Sequence, residues 1–142
     1  MLPDLKDTHP SFMGTATYRT TLTLPIVDKG VIPGSTGDLQ PHEMAGQAGH
    51  DVQPCRLHLG KVCDIAEVWI NGIYAGLRWW GDPVFDLDGL LKPGENEIEI
   101  RVTTQMCNYM RTQPDNSAAK RFTLRRNHEP VSAGLLGPVT LY

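Results

Sequence analysis

The stretch Leu57–Thr104 reads LHLGKVCDIAEVWINGIYAGLRWWGDPVFDLDGLLKPGENEIEIRVTT, and it decides the fold. Asp64–Ile70 has the pattern of a strand and runs into Asn71-Gly72. That dipeptide supplies the two positive φ values of a type I′ turn, so Ile73–Leu77 should fold straight back. Further on, Lys92-Pro93-Gly94-Glu95-Asn96 holds a proline that presets φ at one turn position and a glycine that frees the next. Glu97–Val102 then alternates. Ile98, Ile100 and Val102 fall on one face, and Glu97, Glu99 and Arg101 on the other. Such alternation marks a half-buried antiparallel strand.

Outward from this stretch the same pattern recurs. Thr15–Leu24 alternates, with Ala16, Tyr18, Leu22 and Leu24 facing one way and Thr17, Arg19, Thr21 and Thr23 the other. Threonine-rich alternation fits a strand with one wet face, and Pro25 stops it. Cys55–Leu59 reads as a short strand before a turn at Gly60, Leu77–Val84 as a loop, and Phe85–Leu87 as a short strand. Phe122–Leu124 reads as a strand flanked by Lys120, Arg121, Arg125 and Arg126, charges that coat a solvent-facing strand or a partner surface. Leu135–Tyr142 closes the domain as a last strand. No segment carries a helical period. The expected core is Tyr18, Leu22, Leu24, Leu57, Leu59, Val68, Ile70, Ile98, Ile100, Val102 and Leu141.

About seven or eight short strands with long loops make an all-β protein, an antiparallel β-sandwich. Residues 1–13, with two prolines and no period, read as an N-terminal arm or linker. Residues 14–142 read as a single sandwich domain with an inserted loop at 28–54, and Gln105–Lys120 as a second long loop. The insertion is rich in glycine and proline and poor in large apolar residues. Loops of that length in compact domains are uncommon.

The composition sets outer limits. A chain of 142 residues, 40% hydrophobic and 20% charged, fits one globular domain. Its 14 glycines and 11 prolines suit a turn-rich fold. A net charge of −3 gives no reason to expect nucleic acid as a partner. No run approaches the roughly 18 apolar residues of a membrane span, so no membrane partner is expected. The opening MLPDLKDTHP lacks the basic and apolar regions of a signal peptide. Cys55, Cys63 and Cys107 have neither a C-x-x-C pair nor zinc-ligand spacing, and read as small core residues or free thiols.

Four segments taken together resemble a known domain family. They are GTATYRTTLTLP at Gly14–Pro25, LHLGKVCDIAEVWINGIYAG at Leu57–Gly76, FDLDGLLKPGENEIEIRV at Phe85–Val102 and GLLGPVTL at Gly134–Leu141. Their order is similar to the galactose-binding-like jelly-roll domain of glycoside hydrolases. The sugar-binding domain of family 2 is the general case. The closing GLLGPV is closer to the terminal β-sandwich of family 106 α-L-rhamnosidases. The insertion at 28–54 and the loop Gln105–Lys120 fall outside the pattern. The resemblance implies a jelly roll that accompanies a catalytic barrel, with the chemistry in the barrel. The chain would then be a non-catalytic accessory domain, structural or weakly carbohydrate-binding. Its partners would be the catalytic domain of the parent enzyme and an oligosaccharide, in an extracellular or periplasmic setting.

The residues themselves offer little catalysis. A glycosidase needs two carboxyl groups astride the bond, one of them kept protonated. Asp82, Asp86 and Asp88 lie close in sequence but read as turn formers. Asp86-Leu87-Asp88-Gly89 resembles half of a calcium loop without the later ligands. Ser11, Ser35, Ser117 and Ser132 sit in no nucleophile elbow. His58 alternates into a strand as a structural residue, and no phosphate loop is present. No cofactor or metal is expected. The alternative is an autonomous small hydrolase or metal-dependent enzyme, using the His42-Glu43 and His50-Asp51 pairs of the insertion.

Sugar binding has better candidates. Aromatic faces stack on the C–H face of a pyranose while Arg, Asn and Asp bond its hydroxyls. Arg78, Trp79, Trp80 and Asp82 offer that set in one loop, and Asn108, Tyr109 and Arg111 form a second group. The same surface around Arg78–Asp82 would serve for docking on a catalytic domain. Adjacent tryptophans are commonly packing residues, which favours docking.

Overall fold

The computed structural model describes residues 1–25, 55–124 and 129–142. The insertion at 28–54, with His42 and His50, lies outside the described residues, as do Arg125 and Arg126.

Two antiparallel layers enclose the core. The larger is a four-stranded sheet ordered β1 (Thr15–Leu24), β7 (Gly94–Thr103), β4 (Ile65–Ile70) and β5 (Ile73–Arg78). The second layer holds β6 (Val84–Asp86), β2 (Arg56–His58) and β9 (Thr140–Leu141) in one sheet, and β3 (Lys61–Cys63) with β8 (Gly134–Gly137) in a pair. A parallel bridge between Gly60 and Gly137 links the two pieces.

The turns are where the sequence puts them. Asn71 and Gly72 take φ values of 53° and 79°, and Ile70 pairs with Ile73 across them, as a type I′ hairpin requires. Gly94 takes φ 84° after Pro93. Within the hairpin Trp69 pairs with Tyr74 but Val68 with Gly76, so Ala75 is the extra residue of a bulge.

Alternation sorts the side chains. Ile98, Ile100 and Val102 of β7 and Ala66, Val68 and Ile70 of β4 are buried, and they meet Leu57, Leu59, Phe85, Leu87 and Leu135 of the other layer. Tyr18, Leu22 and Leu141 pack at the margin of this cluster. Gly60 is required where it stands. At φ 65° a Cβ there would collide with the Pro138 carbonyl oxygen. Gly134 likewise admits Leu5, whose Cδ1 would be 2.8 Å from a Cβ at that position.

The N-terminal segment is an arm bonded along β8. It contains a short helix, α1 (Leu5–Thr8), whose cap Asp4 accepts from the Lys6 amide at 3.0 Å. The same carboxyl accepts from the Ala133 amide at 3.0 Å. The Leu2 and Leu5 amides donate to the Leu136 and Ala133 carbonyls.

Three expectations are corrected. The span Gln105–Lys120 is not a plain loop, because it holds α2 (Cys107–Arg111) and the start of α3 (Ser117–Leu124). Phe122–Leu124 is accordingly the last part of a helix and not a strand. Asn116 explains this, since its side chain accepts from the Ala118 and Ala119 amides and so caps a run of good helix formers. Leu135–Tyr142 is not one strand. It breaks at Pro138, which has no amide hydrogen for a ladder, and β8 and β9 pair with different partners.

Candidate functional site

Strand β5 lies at the open edge of the large sheet, and the first candidate group continues from its end. Arg78 is the last residue of β5, paired with Ala66. Its guanidinium lies 5.2 Å from the centre of the Phe85 ring, and Nη1 donates to the Leu77 carbonyl at 2.9 Å. Trp79 and Trp80 follow in an irregular segment and are 71% and 84% exposed. Neither ring is packed beneath the loop. Asp82 is also exposed, and its carbonyl accepts from the Val84 amide.

The tryptophans extend an apolar band. Trp69 and Tyr74 pair on the outer face of the sheet, with ring centres 5.3 Å apart. Leu77 pairs with Glu67 on the same face. Since Ala66 pairs with Arg78, Ile65 and Trp79 are the next residues along the two strands. Ile65, Tyr74, Leu77, Trp79 and Trp80 are all exposed. Alternation and the Asn-Gly turn could have revealed the Trp69–Tyr74 pair before the structure did.

The second group behaves otherwise. Asn108 is buried, and its amide is committed to the Val131 backbone: Nδ2 donates to the carbonyl at 2.8 Å and Oδ1 accepts from the amide at 3.0 Å. Tyr109 and Arg111 are half-buried on α2. Among the described residues no hydrogen bond, ion pair or ring contact joins this group to the tryptophan segment.

The acidic residues after the tryptophans shape turns. Asp86 accepts from the Asp88 amide, and Asp88 accepts from the Cys55 amide. No group of three or more His, Cys, Asp or Glu side chains able to hold a metal ion occurs among the described residues. All three cysteines are free thiols, and burial pushes those of Cys55 and Cys63 up.

A charged cluster that sequence reasoning did not single out lies beside the band. Arg19 Nε is 2.7 Å from one oxygen of Glu99, and Arg101 Nε is 2.5 Å from the other. The Arg101 guanidinium lies 4.1 Å from the centre of the Trp69 ring. The hydrogen bond from Arg19, with that from Arg101, holds the Glu99 carboxyl below its usual range.

No family model matches the chain, and no curated protein matches it. Solved structures do. Over 92% of its length the chain is similar to part of a rhamnosidase from Novosphingobium sp. PP1Y, at 25% identity and a TM-score of 0.60, covering 11% of that chain. An FMN-binding β-glucuronidase from Facaelibacterium prausnitzii L2-6 matches 99% of this chain at 19% identity and TM-score 0.55, over 18% of its own. A β-glycosidase from Bacteroides vulgatus matches 91% at 21% identity and TM-score 0.51, over 12% of its own. The fold is thus the β-sandwich found within these glycoside hydrolases, as the resemblance implied. The chain spans less than a fifth of the length of each.

Proposed function

We propose that this chain is a non-catalytic accessory β-sandwich of a glycoside hydrolase. It docks on the catalytic part of that enzyme through the β4–β5 side of its large sheet. The observation that carries the reading is the exposed band of Ile65, Tyr74, Leu77, Trp79 and Trp80 along one sheet edge. Continuous exposed apolar surface of this kind marks a contact that another surface covers. The size of the chain relative to its structural neighbours supports the same view.

A weak carbohydrate-binding module is the second reading. It rests on two free indole rings beside Arg78 and Asp82. Calorimetric titration of the chain with a glycan panel, repeated with Trp79→Ala and Trp80→Ala, separates the two. Binding lost in either variant favours the module. No glycan binding by the folded chain, with concentration-dependent self-association that both variants reduce, favours docking.

A further inference from the structure

The outer face of the large sheet is divided lengthwise. Its β4–β5 half carries the apolar band. Its β7–β1 half carries Glu95, Glu97, Glu99 and Arg101 from β7 and Arg19 from β1, with Glu67 of β4 paired to Arg101 at the border. Both arginines are committed to Glu99, and Arg101 also covers the Trp69 ring. Glu97 is left with little. Among the described residues its ion pair is with Arg19 at 3.9 Å, and its side chain is 58% exposed. It forms a wall of two clefts. One, of about 190 Å³, is completed by Trp69, Gly72, Glu99 and Arg101. The other, of about 420 Å³, is completed by Arg19, Thr20, Thr21 and Glu95. An acidic ledge therefore runs directly beside the apolar band.

We propose that the protein surface covering the band brings a basic side chain, arginine or lysine, into the cleft between Trp69 and Glu97. This rests on the docking reading and names the chemistry of its partner. Charge complementarity is the reason. A carboxylate whose charge is incompletely matched, beside an indole, is a place for a cation. Trp69 already accepts one guanidinium, from Arg101. A neutral sugar could donate hydroxyls to these carboxylates but would leave their excess charge unmatched, and Arg101 lies over the Trp69 ring on which it would stack. A charged contact at the rim of an apolar patch sets register and speeds encounter more than it adds affinity.

The probe is N-acetyl-arginine amide, titrated into the ¹⁵N-labelled 142-residue chain and followed by NMR. N-acetyl-glutamate amide and methyl glycosides are the comparisons. The expected result is saturable shifts of the Gly72 and Glu97 amides and the Trp69 indole with the arginine probe alone. Glu97→Gln should weaken binding about two- to fivefold, the range of an exposed ion pair. Asp115→Asn, the same charge change on an exposed residue elsewhere, should leave it unaltered. Equal shifts with both charged probes, or equal affinity in Glu97→Gln and Asp115→Asn, would overturn the proposal. Shifts of these resonances by a methyl glycoside would overturn it in favour of a sugar subsite. A silent arginine titration with no glycan binding removes this proposal and leaves docking standing. Glycan binding at the Trp79 or Trp80 indoles removes the docking reading and the proposal together.

Discussion

The side-chain amide of Asn71 donates to that of Asn96 across 2.9 Å, and this bond ties together the two turns that organise the sheet. Asn71 lies in the I′ hairpin turn. Asn96 follows the Pro93-Gly94 turn and is fully buried. Asn96 also accepts from the Lys92 amide at 2.8 Å and donates to the Lys92 and Gly94 carbonyls. Asn71 in turn donates to the Leu90 carbonyl and accepts from the Glu97 amide. Removing one member leaves several part-buried partners unpaired, and a fully buried group of that kind costs about 1–3 kcal/mol. Asn96→Ala should therefore lower stability by about 3 kcal/mol in a denaturant titration. Asn96→Asp should also destabilise at neutral pH, because it sets a carboxylate against the Lys92 and Gly94 carbonyls.

Two glycines with similar φ should respond differently. A methyl group at Gly72 would have nothing within 4 Å, so Gly72→Ala meets only the left-handed backbone cost of about 1–2 kcal/mol. At Gly60 the methyl would also collide with the Pro138 carbonyl, a backbone atom that cannot swing away. Overpacking of that kind adds about 1–3 kcal/mol. Gly60→Ala should be clearly the worse of the two at an unchanged denaturant slope. Equal losses would mean that the Gly60–Gly137 bridge yields easily.

What could be read from the sequence was local. Asn71-Gly72, Pro93-Gly94 and the alternation of Glu97–Val102 each lie within a few residues, and each recurs in the fold. The missed features depend on distant partners or weak signals. Asn108 reads as a polar group in a loop, but it is buried and bonded to the Val131 backbone, 23 residues on. The N-terminal arm is fixed by an Asp4–Ala133 bond that spans 129 residues. Helix α3 had one legible signal, the Asn116 cap, which the strand-like alternation of Phe122, Thr123 and Leu124 obscured. At the candidate site, the Trp79-Trp80 segment was legible as an irregular stretch. The Arg19–Glu99–Arg101 cluster needed the β1–β7–β4 register, which no short-range signal supplies.

The arm should contribute to stability. Leu5 is half-buried against Gly134, and Asp4 serves α1 and Ala133 at once. Leu5→Ala should cost about 1–2 kcal/mol, part of the loss at a fully buried site. Removal of residues 1–9 should cost more, since it also frees the Ala133 and Leu136 backbone groups. Thermal melts of the two variants against the full chain test this, and a truncation without effect would mean the arm is merely adjacent.

Three carboxyl groups set opposing pH trends. At Glu99 the Arg19 hydrogen bond leads in lowering the carboxyl. At Asp4 burial pushes up, but the Ala133 and Lys6 amides outweigh it and the net direction is down. Both therefore stabilise the fold above the usual carboxylate range, near pH 4, and that contribution is lost as pH falls through their folded values. Asp64 is opposite, with burial raising it against hydrogen bonds from Gln105. Its ionisation favours the unfolded chain, so its contribution is lost as pH rises through the folded value. Asp64→Asn should raise Tm at pH 7, and asparagine tolerates the φ of 81° found there. The gain should shrink toward pH 4. Glu99→Gln should lower Tm at pH 7, with the difference fading at lower pH.

Trp79 and Trp80 should be dispensable for folding. Rings 71% and 84% exposed bury little surface within this chain, so Trp79→Ala and Trp80→Ala should each change stability by less than about 0.5 kcal/mol. Their removal should instead change how the chain meets other surfaces. They continue the band of Ile65, Tyr74 and Leu77, and exposed apolar bands promote association. Sedimentation velocity at rising concentration should show self-association that the double variant reduces. A loss above about 1 kcal/mol from either single change would mean that the ring packs on its own domain, and the docking surface would then contract to Tyr74, Leu77 and Ile65.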